Sequence, residues 1–307
     1  MKQPTNPQEA LEQASALLNE GDYAESERLL TGVLAAIPNY PPALHLLGLV
    51  SFHRGAIDHA IQLIIKALRK APFEYNYLAN LCELCRKQGR LSEAIEFGER
   101  AIAINPRAHS ALSNLGIAYF DRGDFTKARE LQRKALKIAP THVPALNNLG
   151  SVYKQLNELG RAKSAYEKVL RLEPENVDTM SNLGALLLAM NELEEAEEHL
   201  RTAVKIDPNY ASAHTNLGRT LEAADRLDDA KGAFLVAAKL RAYPEPFLGL
   251  ARIDYKQGQF QQALQRAESA YRLKSSNDTL ALIGEIHHQL GNIKEALDCF
   301  ERANAEH

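Results

Sequence analysis

Within residues 111–140, small and apolar side chains recur at helical spacing in two separate runs. The first run places them at positions i, i+3, i+4 and i+7, which share one helix face: Leu112, Leu115, Gly116 and Tyr119. Gly123 then interrupts the helical pattern. The second run continues on the inner face of another helix: Ala128, Leu131, Ala135 and Leu136. Pro140 ends this helix because proline has no amide hydrogen and disfavours helix at the preceding residue. The segment therefore predicts a pair of helices joined by a tight turn.

The helix pair returns every 34 residues, at 145–174 and again at 179–208. In the first helix, a leucine or isoleucine recurs as Leu47, Leu81, Leu115, Leu149, Leu183, Leu217, Leu250 and Ile283. The small residue beside it recurs as Ala14, Gly48, Cys82, Gly116, Gly150, Gly184, Gly218, Ala251 and Gly284. The second-helix alanine recurs as Ala60, Ala94, Ala128, Ala162, Ala196, Ala230, Ala263 and Ala296, and the closing proline as Pro38, Pro72, Pro106, Pro140, Pro174 and Pro208. A fixed period of this size is typical of a solenoid, and an irregular helical bundle has no reason to keep it.

These recurring residues resemble the tetratricopeptide repeat (TPR) family. The resemblance implies an all-α fold, a right-handed α-solenoid or superhelix built from antiparallel helix pairs, with about nine repeats. We predict a short disordered lead over 1–6, followed by one array over 7–307. The predicted repeats are 7–40, 41–74, 75–108, 109–142, 143–176, 177–210, 211–243, 244–276 and 277–307. Repeat seven loses one residue and its closing proline, so we expect a change in geometry between 241 and 247.

Composition narrows the choice of compartment and partner. The chain has 307 residues, of which 45% are hydrophobic and 24% charged, and its net charge is -3. No apolar run is long enough to span a membrane, and residues 1–11 lack the apolar core of a secretory signal. The 3 cysteines are an odd number and do not form a disulfide framework. We therefore expect a cytoplasmic protein. The last repeat has no further helix to cover it, so self-association through that end is a possible partner interaction.

Asparagine stands at position 6 of five consecutive repeats: Asn80, Asn114, Asn148, Asn182 and Asn216. Asparagine is a poor helix former, and its amide both donates and accepts hydrogen bonds. The row resembles the asparagine ladder of the TPR superhelix in O-linked N-acetylglucosamine transferases, which implies contacts with the backbone of an extended peptide in a concave groove. The alternative is structural, because asparagine is frequent at this position in TPR sequences and some copies only bond a neighbouring helix.

By the same resemblance, positions 2, 5, 6, 9, 12 and 13 of each repeat line the groove, while positions 4, 7, 8 and 11 pack inward. A position-5 residue such as Ser181 is therefore expected to be exposed. The remaining candidate binding residues are Leu49, Phe52, Arg86, Ile117, Phe120, Lys154, Leu188 and Arg219. Phe52 and Phe120 are candidate aromatic anchors. The plain alternative is that these are single exposed apolar residues and solvated charges, as on any protein surface.

Capture of a chaperone's terminal carboxylate needs lysine at position 5 and asparagine at position 9, and no repeat has both.

The sequence contains little that indicates a catalytic or metal-binding site. Cys82 and Cys85 form a C-x-x-C, but both occupy core positions, and no second pair supplies the further ligands that zinc needs. The phosphate-binding, metalloprotease and nucleophile-elbow motifs are missing from the sequence. We therefore expect no enzyme activity of its own, no cofactor and no metal.

Three functions remain to be weighed. The leading hypothesis is a noncatalytic scaffold that binds an extended peptide or a partner protein in its groove. The alternative is the substrate-recognition region of a multidomain glycosyltransferase or sulfotransferase. The Met1 start and the lack of a following domain lead us to expect the first. RNA binding is the third, and the negative net charge with no basic stripe argues against a nucleic-acid partner.

Overall fold

A computed structural model describes residues 6–305, and every regular element in that range is an α-helix. The chain forms two compact units, Met1–Asn157 and Glu158–His307. The first contains α1 (Pro7–Glu20), α2 (Tyr23–Ala36), α3 (Pro41–His53), α4 (Ile57–Lys70), α5 (Tyr75–Lys87), α6 (Leu91–Ile104), α7 (His109–Asp121), α8 (Phe125–Ile138) and α9 (Val143–Gln155). The second contains α10 (Leu159–Leu172), α11 (Val177–Ala189), α12 (Leu193–Ile206), α13 (Ala211–Ala223), α14 (Leu227–Leu240), α15 (Pro244–Lys256), α16 (Phe260–Leu273), α17 (Asn277–Gln289) and α18 (Ile293–Ala305). These helices confirm the all-α solenoid of about nine helix pairs, while a single domain over 7–307 stays a prediction.

The predicted lead, 1–6, falls almost entirely outside the described residues, which begin at Asn6. Asn6 is the N-cap of α1, and its side-chain oxygen accepts a hydrogen bond from the backbone N–H of Gln8 at 2.9 Å. Pro7 follows as the first helical residue. The N–H at this position has no acceptor within the helix, so proline, which lacks it, costs no hydrogen bond here. None of the helices in the described part of the chain is long and apolar enough to cross a membrane.

The turn inside each helix pair contains one residue with a left-handed backbone. These residues are Gly21, Gly55, Gly89, Gly123, Asn157, Asn191, Asp225, Gly258 and Gly291. At Gly123, φ is 88°, and the next N–H, of Asp124, bonds back to the Tyr119 carbonyl at 2.9 Å. Glycine, asparagine and aspartate adopt this conformation most readily, which explains why these residue types recur at the turn.

Small residues let the helices of a pair approach closely, as expected. A Cβ placed on Gly184 of α11 would lie 2.5 Å from Cγ of Leu200 on α12. The recurring second-helix alanines are fully or almost fully buried. Several first helices also pack against the next first helix, as α5 does on α7 and α11 on α13.

The lost residue of the shortened repeats lies in the linker between repeats. Four residues, 105–108, separate α6 from α7, whereas three residues, 241–243, separate α14 from α15. The linker backbone differs as well, because φ and ψ are -153° and 131° at Arg241 but -130° and 89° at Asn105. The linker at 274–276 is equally short, and Lys274 is similarly extended.

A buried ion-paired cluster joins three helices of the second unit. Asp254 of α15 is fully buried, 0% exposed. Its carboxylate lies 2.7 Å from Nζ of Lys231 on α14 and 2.6 Å from Nη1 of Arg266 on α16. Position 11 packs inward as predicted, but here it holds a charge. Burial of a lone carboxylate is costly, and the two cations offset that cost.

Candidate functional site

The position-6 asparagines of the first unit bond to the preceding first helix. Asn114 Nδ2 donates to the Ala79 carbonyl at 3.0 Å, and Asn148 Nδ2 donates to Ser113 Oγ at 3.3 Å. Asn80 Nδ2 lies 2.7 Å from Nε2 of His45. Each amide therefore links two consecutive first helices, which is the structural role that the sequence left open.

Asn216 makes the corresponding link in the second unit. Its Nδ2 donates to the Ser181 carbonyl at 3.2 Å and to Ser181 Oγ at 3.0 Å. Asn182 is half-buried on α11. The bonds from Asn216 run across Ser181, which occupies position 5 of its repeat. Ser181 is therefore only 2% exposed, and the expectation that it is exposed is wrong. Position 5 is likewise buried at Ala79, Ser113 and Thr215.

The carboxamide oxygens of these asparagines differ from the nitrogens in their hydrogen bonding. Within residues 6–305, Oδ1 of Asn80, Asn114, Asn148 and Asn216 accepts no hydrogen bond. These side chains are half-buried, and their oxygens are not among the buried polar atoms that lack a partner. The open atom of each is thus an acceptor that suits a peptide N–H. An asparagine amide can both donate and accept, but where its nitrogen already bonds to the preceding first helix, only the acceptor oxygen remains for a ligand.

His45 receives the Asn80 amide as a neutral ring. Burial lowers the pKa of His45 to about 4, so the ring is uncharged at neutral pH and has a nitrogen lone pair to accept the bond. The imidazole also stacks on Tyr77, with ring centroids 4.4 Å apart. Burial, with Glu74 as a smaller cause, raises the pKa of Tyr77 to about 12. The first position of the row is therefore held by packing as well as by hydrogen bonding.

The candidate aromatic and aliphatic residues are only partly open. Phe120 packs against Phe125 with ring centroids 5.4 Å apart, and Lys87 Nζ lies 5.7 Å from the centre of the Phe52 ring. The predicted apolar candidates are all half-buried: Leu49, Phe52, Ile117, Phe120 and Leu188. They offer partial apolar contacts rather than fully projecting anchors.

The candidate cations differ in whether an acid already holds them. Arg86 pairs with Glu83 at 2.8 Å and with Asp121 at 2.7 Å. The hydrogen bonds that Arg86 donates to Glu83 raise the pKa of its guanidinium more than the one it donates to Asp121. Lys154 is half-buried on α9. Arg219 is exposed on α13 and makes no ion pair or hydrogen bond with the other described residues.

A cleft of about 480 Å³ lies on the first helices of the second unit. Its walls come from α11, α13 and α15 and from the residues just before α13 and α15: Ser181, Asn182, Tyr210, Ser212, Thr215, Asn216, Arg219, Tyr243, Glu245, Leu248 and Arg252. Three of the sequence-predicted residues, Asn182, Asn216 and Arg219, are therefore brought together here.

Two tyrosines and an arginine of this cleft are held by internal bonds. The Tyr210 hydroxyl bonds to Asp178, and burial followed by that bond raises the pKa of Tyr210. The Tyr243 hydroxyl bonds to Thr215 and donates to the Ala211 carbonyl at 3.1 Å. Arg252 makes two bonds to Glu222, from Nε at 2.9 Å and from Nη2 at 2.8 Å.

Sequence reasoning missed these lining residues for two reasons. Arg252 stands at position 9 of its repeat, on the predicted groove stripe, and that position could have identified it. Tyr210 and Tyr243 end their repeats, outside the stripe, and no periodic signal marks them as part of a site.

The cysteines lie in the core, as expected from their positions. Cys82 and Cys85 are both fully buried. Burial raises the pKa of the Cys82 thiol to about 12 and that of Cys85 to about 11, so both stay protonated at neutral pH. Within the described residues, no group of three or more histidine, cysteine, aspartate or glutamate side chains is arranged to hold a metal ion.

Comparison with protein families finds models described as tetratricopeptide repeat along most of the chain. They match residues 9–85, 107–175, 155–209, 199–232 and 248–306. A comparison with curated proteins finds no match.

Several solved structures share the fold. The human IFIT1 dimer with m7Gppp-AAAA is similar with a TM-score of 0.68 at 20% identity, over 97% of this chain and 71% of that chain. The pilF protein of Pseudomonas aeruginosa is similar with a TM-score of 0.57 at 25% identity, over 65% of this chain and 93% of that chain. A tetratricopeptide repeat protein from Parabacteroides merdae is similar with a TM-score of 0.64 at 19% identity, over 84% of this chain and 98% of that chain.

Proposed function

The chain belongs to the tetratricopeptide repeat family, and from this premise we propose that it is a noncatalytic scaffold that binds an extended peptide segment of a partner protein along its first helices. The observation that carries the proposal is that Oδ1 of four position-6 asparagines, Asn80, Asn114, Asn148 and Asn216, accepts no hydrogen bond from another described residue. The cleft of the second unit adds a concave surface of about 480 Å³ that Asn216 and the position-6 residue of the preceding repeat, Asn182, both line.

An acceptor row of this kind suits a peptide backbone in particular. An extended segment exposes N–H groups that no secondary structure has used, and an Oδ1 atom can accept from one of them. Each neutral bond contributes only about 0.5–1.5 kcal/mol, so useful affinity requires several bonds on one segment. The same face would serve if the chain is the substrate-recognition region of a larger glycosyltransferase or sulfotransferase.

RNA is the competing ligand, because the human IFIT1 structure contains m7Gppp-AAAA. At 20% identity that similarity shows the fold alone. Phosphate binding depends on cations that are available to neutralise it. On the first helices, Arg86 and Arg252 are already paired with carboxylates. Arg219 is the one of the three arginines named here without an acid partner among the described residues, and a single open arginine favours a peptide with one acidic residue over a polyanion.

A selection experiment tests the proposal. A random library of 12-residue peptides displayed on phage is selected on the purified chain, and the affinity of a selected synthetic peptide is measured by fluorescence anisotropy. Replacing one position-6 asparagine by alanine should weaken binding a few-fold, and replacing all five should weaken it by more than a hundredfold, since each bond contributes about 0.5–1.5 kcal/mol.

The asparagine variants also lose the hydrogen bonds that link consecutive first helices, so a matched control must remove such a link alone. Ser113→Ala removes the side chain that Asn148 bonds but leaves Oδ1 of Asn148 in place. It should lower the thermal midpoint slightly while leaving peptide affinity almost unchanged. Failure to select any peptide, or full affinity in the five-fold variant, would contradict the proposal. Tight binding of A-rich RNA, lost steeply with salt, would favour the RNA alternative.

A further inference from the structure

The cleft of the second unit has one cation that no acid neutralises. Two arginines line it, Arg219 and Arg252. Arg252 is held by Glu222 through two bonds of 2.9 and 2.8 Å. Arg219 is exposed and has no ion pair or hydrogen bond with any other residue of the described range 6–305. A guanidinium that projects into a concave surface without a counter-ion is available to a ligand.

We propose that Arg219 selects an acidic residue, aspartate or glutamate, in the peptide that the cleft binds, an inference that rests on the proposed function. The fork of the guanidinium matches the two oxygens of a carboxylate, which gives direction as well as attraction.

The spacing of Asn216 and Arg219 supports this assignment. The two residues are three apart on α13, so they are neighbours on one helix face, with Cβ atoms about 5–6 Å apart. Residues of an extended chain follow one another at about 3.3 Å. A peptide whose N–H bonds to Oδ1 of Asn216 therefore brings a side chain one or two residues further along to Arg219.

The one acid that lines the cleft lies away from Arg219. Glu245 is the second residue of α15, whereas Arg219 is the ninth of α13. At about 1.5 Å per residue, seven positions correspond to about 10 Å along the helix axis. Glu245 thus lies at the end where Tyr210 and Tyr243 stand, and Arg219 marks the opposite end. The acidic residue of the peptide is expected at the Arg219 end only.

The experiment uses peptides selected from the phage library on the full chain. We expect aspartate or glutamate to be enriched at one peptide position. A synthetic peptide with glutamate there should bind about tenfold more tightly than the same peptide with glutamine. Arg219→Gln should remove this difference. Arg219→Glu should reverse it, so that the peptide with lysine at that position binds best.

Lys239→Glu provides the matched control, because it makes the same charge change at an exposed position of α14 that does not line the cleft. It should leave the preference for glutamate intact. Circular dichroism melts establish that each variant is folded, and Arg219 is exposed, so its replacement should not disturb the core.

The outcomes separate this inference from the proposed function. Selected peptides with no acidic preference, or a preference that survives Arg219→Glu, would overturn the role of Arg219 while the scaffold function stands. If no peptide is selected at all, the proposed function fails, and the role of Arg219 fails with it.

Discussion

Asn216 shows how one side chain can serve both the fold and a ligand. Its nitrogen bonds across to Ser181 on the preceding first helix, and its oxygen accepts nothing within residues 6–305. The same division applies to Asn114, whose nitrogen bonds to the Ala79 carbonyl. Replacement of either by alanine removes both functions at once, so stability and binding must be measured on the same variant.

His45 makes stability depend on pH. Its pKa is lowered by burial to about 4, whereas an unfolded histidine titrates near 6.5. Between these values the unfolded chain binds the extra proton, so the free energy of unfolding falls as pH falls. We expect a loss of about 2 kcal/mol between pH 7.5 and pH 5 from this group. Urea unfolding at both pH values measures it, and His45→Gln, which cannot titrate, should lose that much less. An identical pH dependence in the variant would show that His45 titrates normally.

The charge of Asp254 is expected to stabilise the second unit strongly. Asp254→Asn leaves Lys231 and Arg266 without their carboxylate in a mostly buried site, which costs about 3 kcal/mol. Urea unfolding measures the change. The control is Asp298→Asn, because Asp298 makes an exposed pair with Arg302, 3.1 Å apart, and exposed pairs contribute about 1 kcal/mol or less. Equal effects of the two substitutions would contradict a special role for the buried cluster.

At the scale of helices, a large side chain on the second helix of a repeat requires small residues on the first helices that it contacts. The Phe234 ring of α14 lies between Gly218 of α13 and Gly249 of α15. A Cβ on Gly218 would come within 2.8 Å of this ring, and one on Gly249 within 2.5 Å. Gly249 occupies position 6 of its repeat, so the asparagine row stops where this ring needs the space.

The close approach at Gly218 predicts opposite effects of the same substitution on neighbouring helices. Gly218→Ala should destabilise the second unit by about 1–3 kcal/mol, because the Phe234 ring is confined on both sides. Gly232→Ala on α14 should stabilise it by about 0.5–1 kcal/mol, since no atom lies within 4 Å of the added Cβ and alanine is the better helix former. Thermal melts of the two variants measure the signs. A stabilising Gly218→Ala would mean that the ring can move aside.

At the largest scale, each unit is a run of helices in which every extensive contact of the described residues joins helices of the same repeat or of neighbouring repeats. Extensive contacts in the described chain join a helix to its pair partner or to the following repeat, as α13 contacts α14 and α15. Stability in such an array is a sum of repeat and neighbour-interface contributions. A local change should therefore weaken nearby repeats and leave distant ones intact.

Hydrogen exchange measured by mass spectrometry tests this locality. In Asp254→Asn, amide exchange should accelerate in α14, α15 and α16, which the buried cluster joins. Exchange in α5 and α6 of the first unit should match that of the wild type. Faster exchange throughout the chain would show that the array unfolds as one cooperative body.

Local periodicity was enough to predict the repeated helix pairs, the turns within them and most of their inward positions, with position 5 as the exception. The left-handed turn residues, the buried alanines and the shortened spacing after 210 all follow from short-range rules of helix geometry and backbone conformation. These features depend on neighbours within a few residues, and the sequence contains those neighbours directly. For the candidate site, the same stripe identified Asn182, Asn216 and Arg219 by their repeat positions alone.

Packing between repeats decided which parts of that stripe remain open. Position 5 is covered at Ser181 because Asn216, 35 residues later, reaches across it. Tyr210 and Tyr243 become walls of a cleft only when α11, α13 and α15 lie side by side. Asp254 is tolerated in the core only because Lys231 and Arg266 approach it from two other helices. The physical reason is the same in each case. Helical periodicity shows which face of its own helix a residue occupies, but only the packing of several helices determines which residues of other helices it contacts.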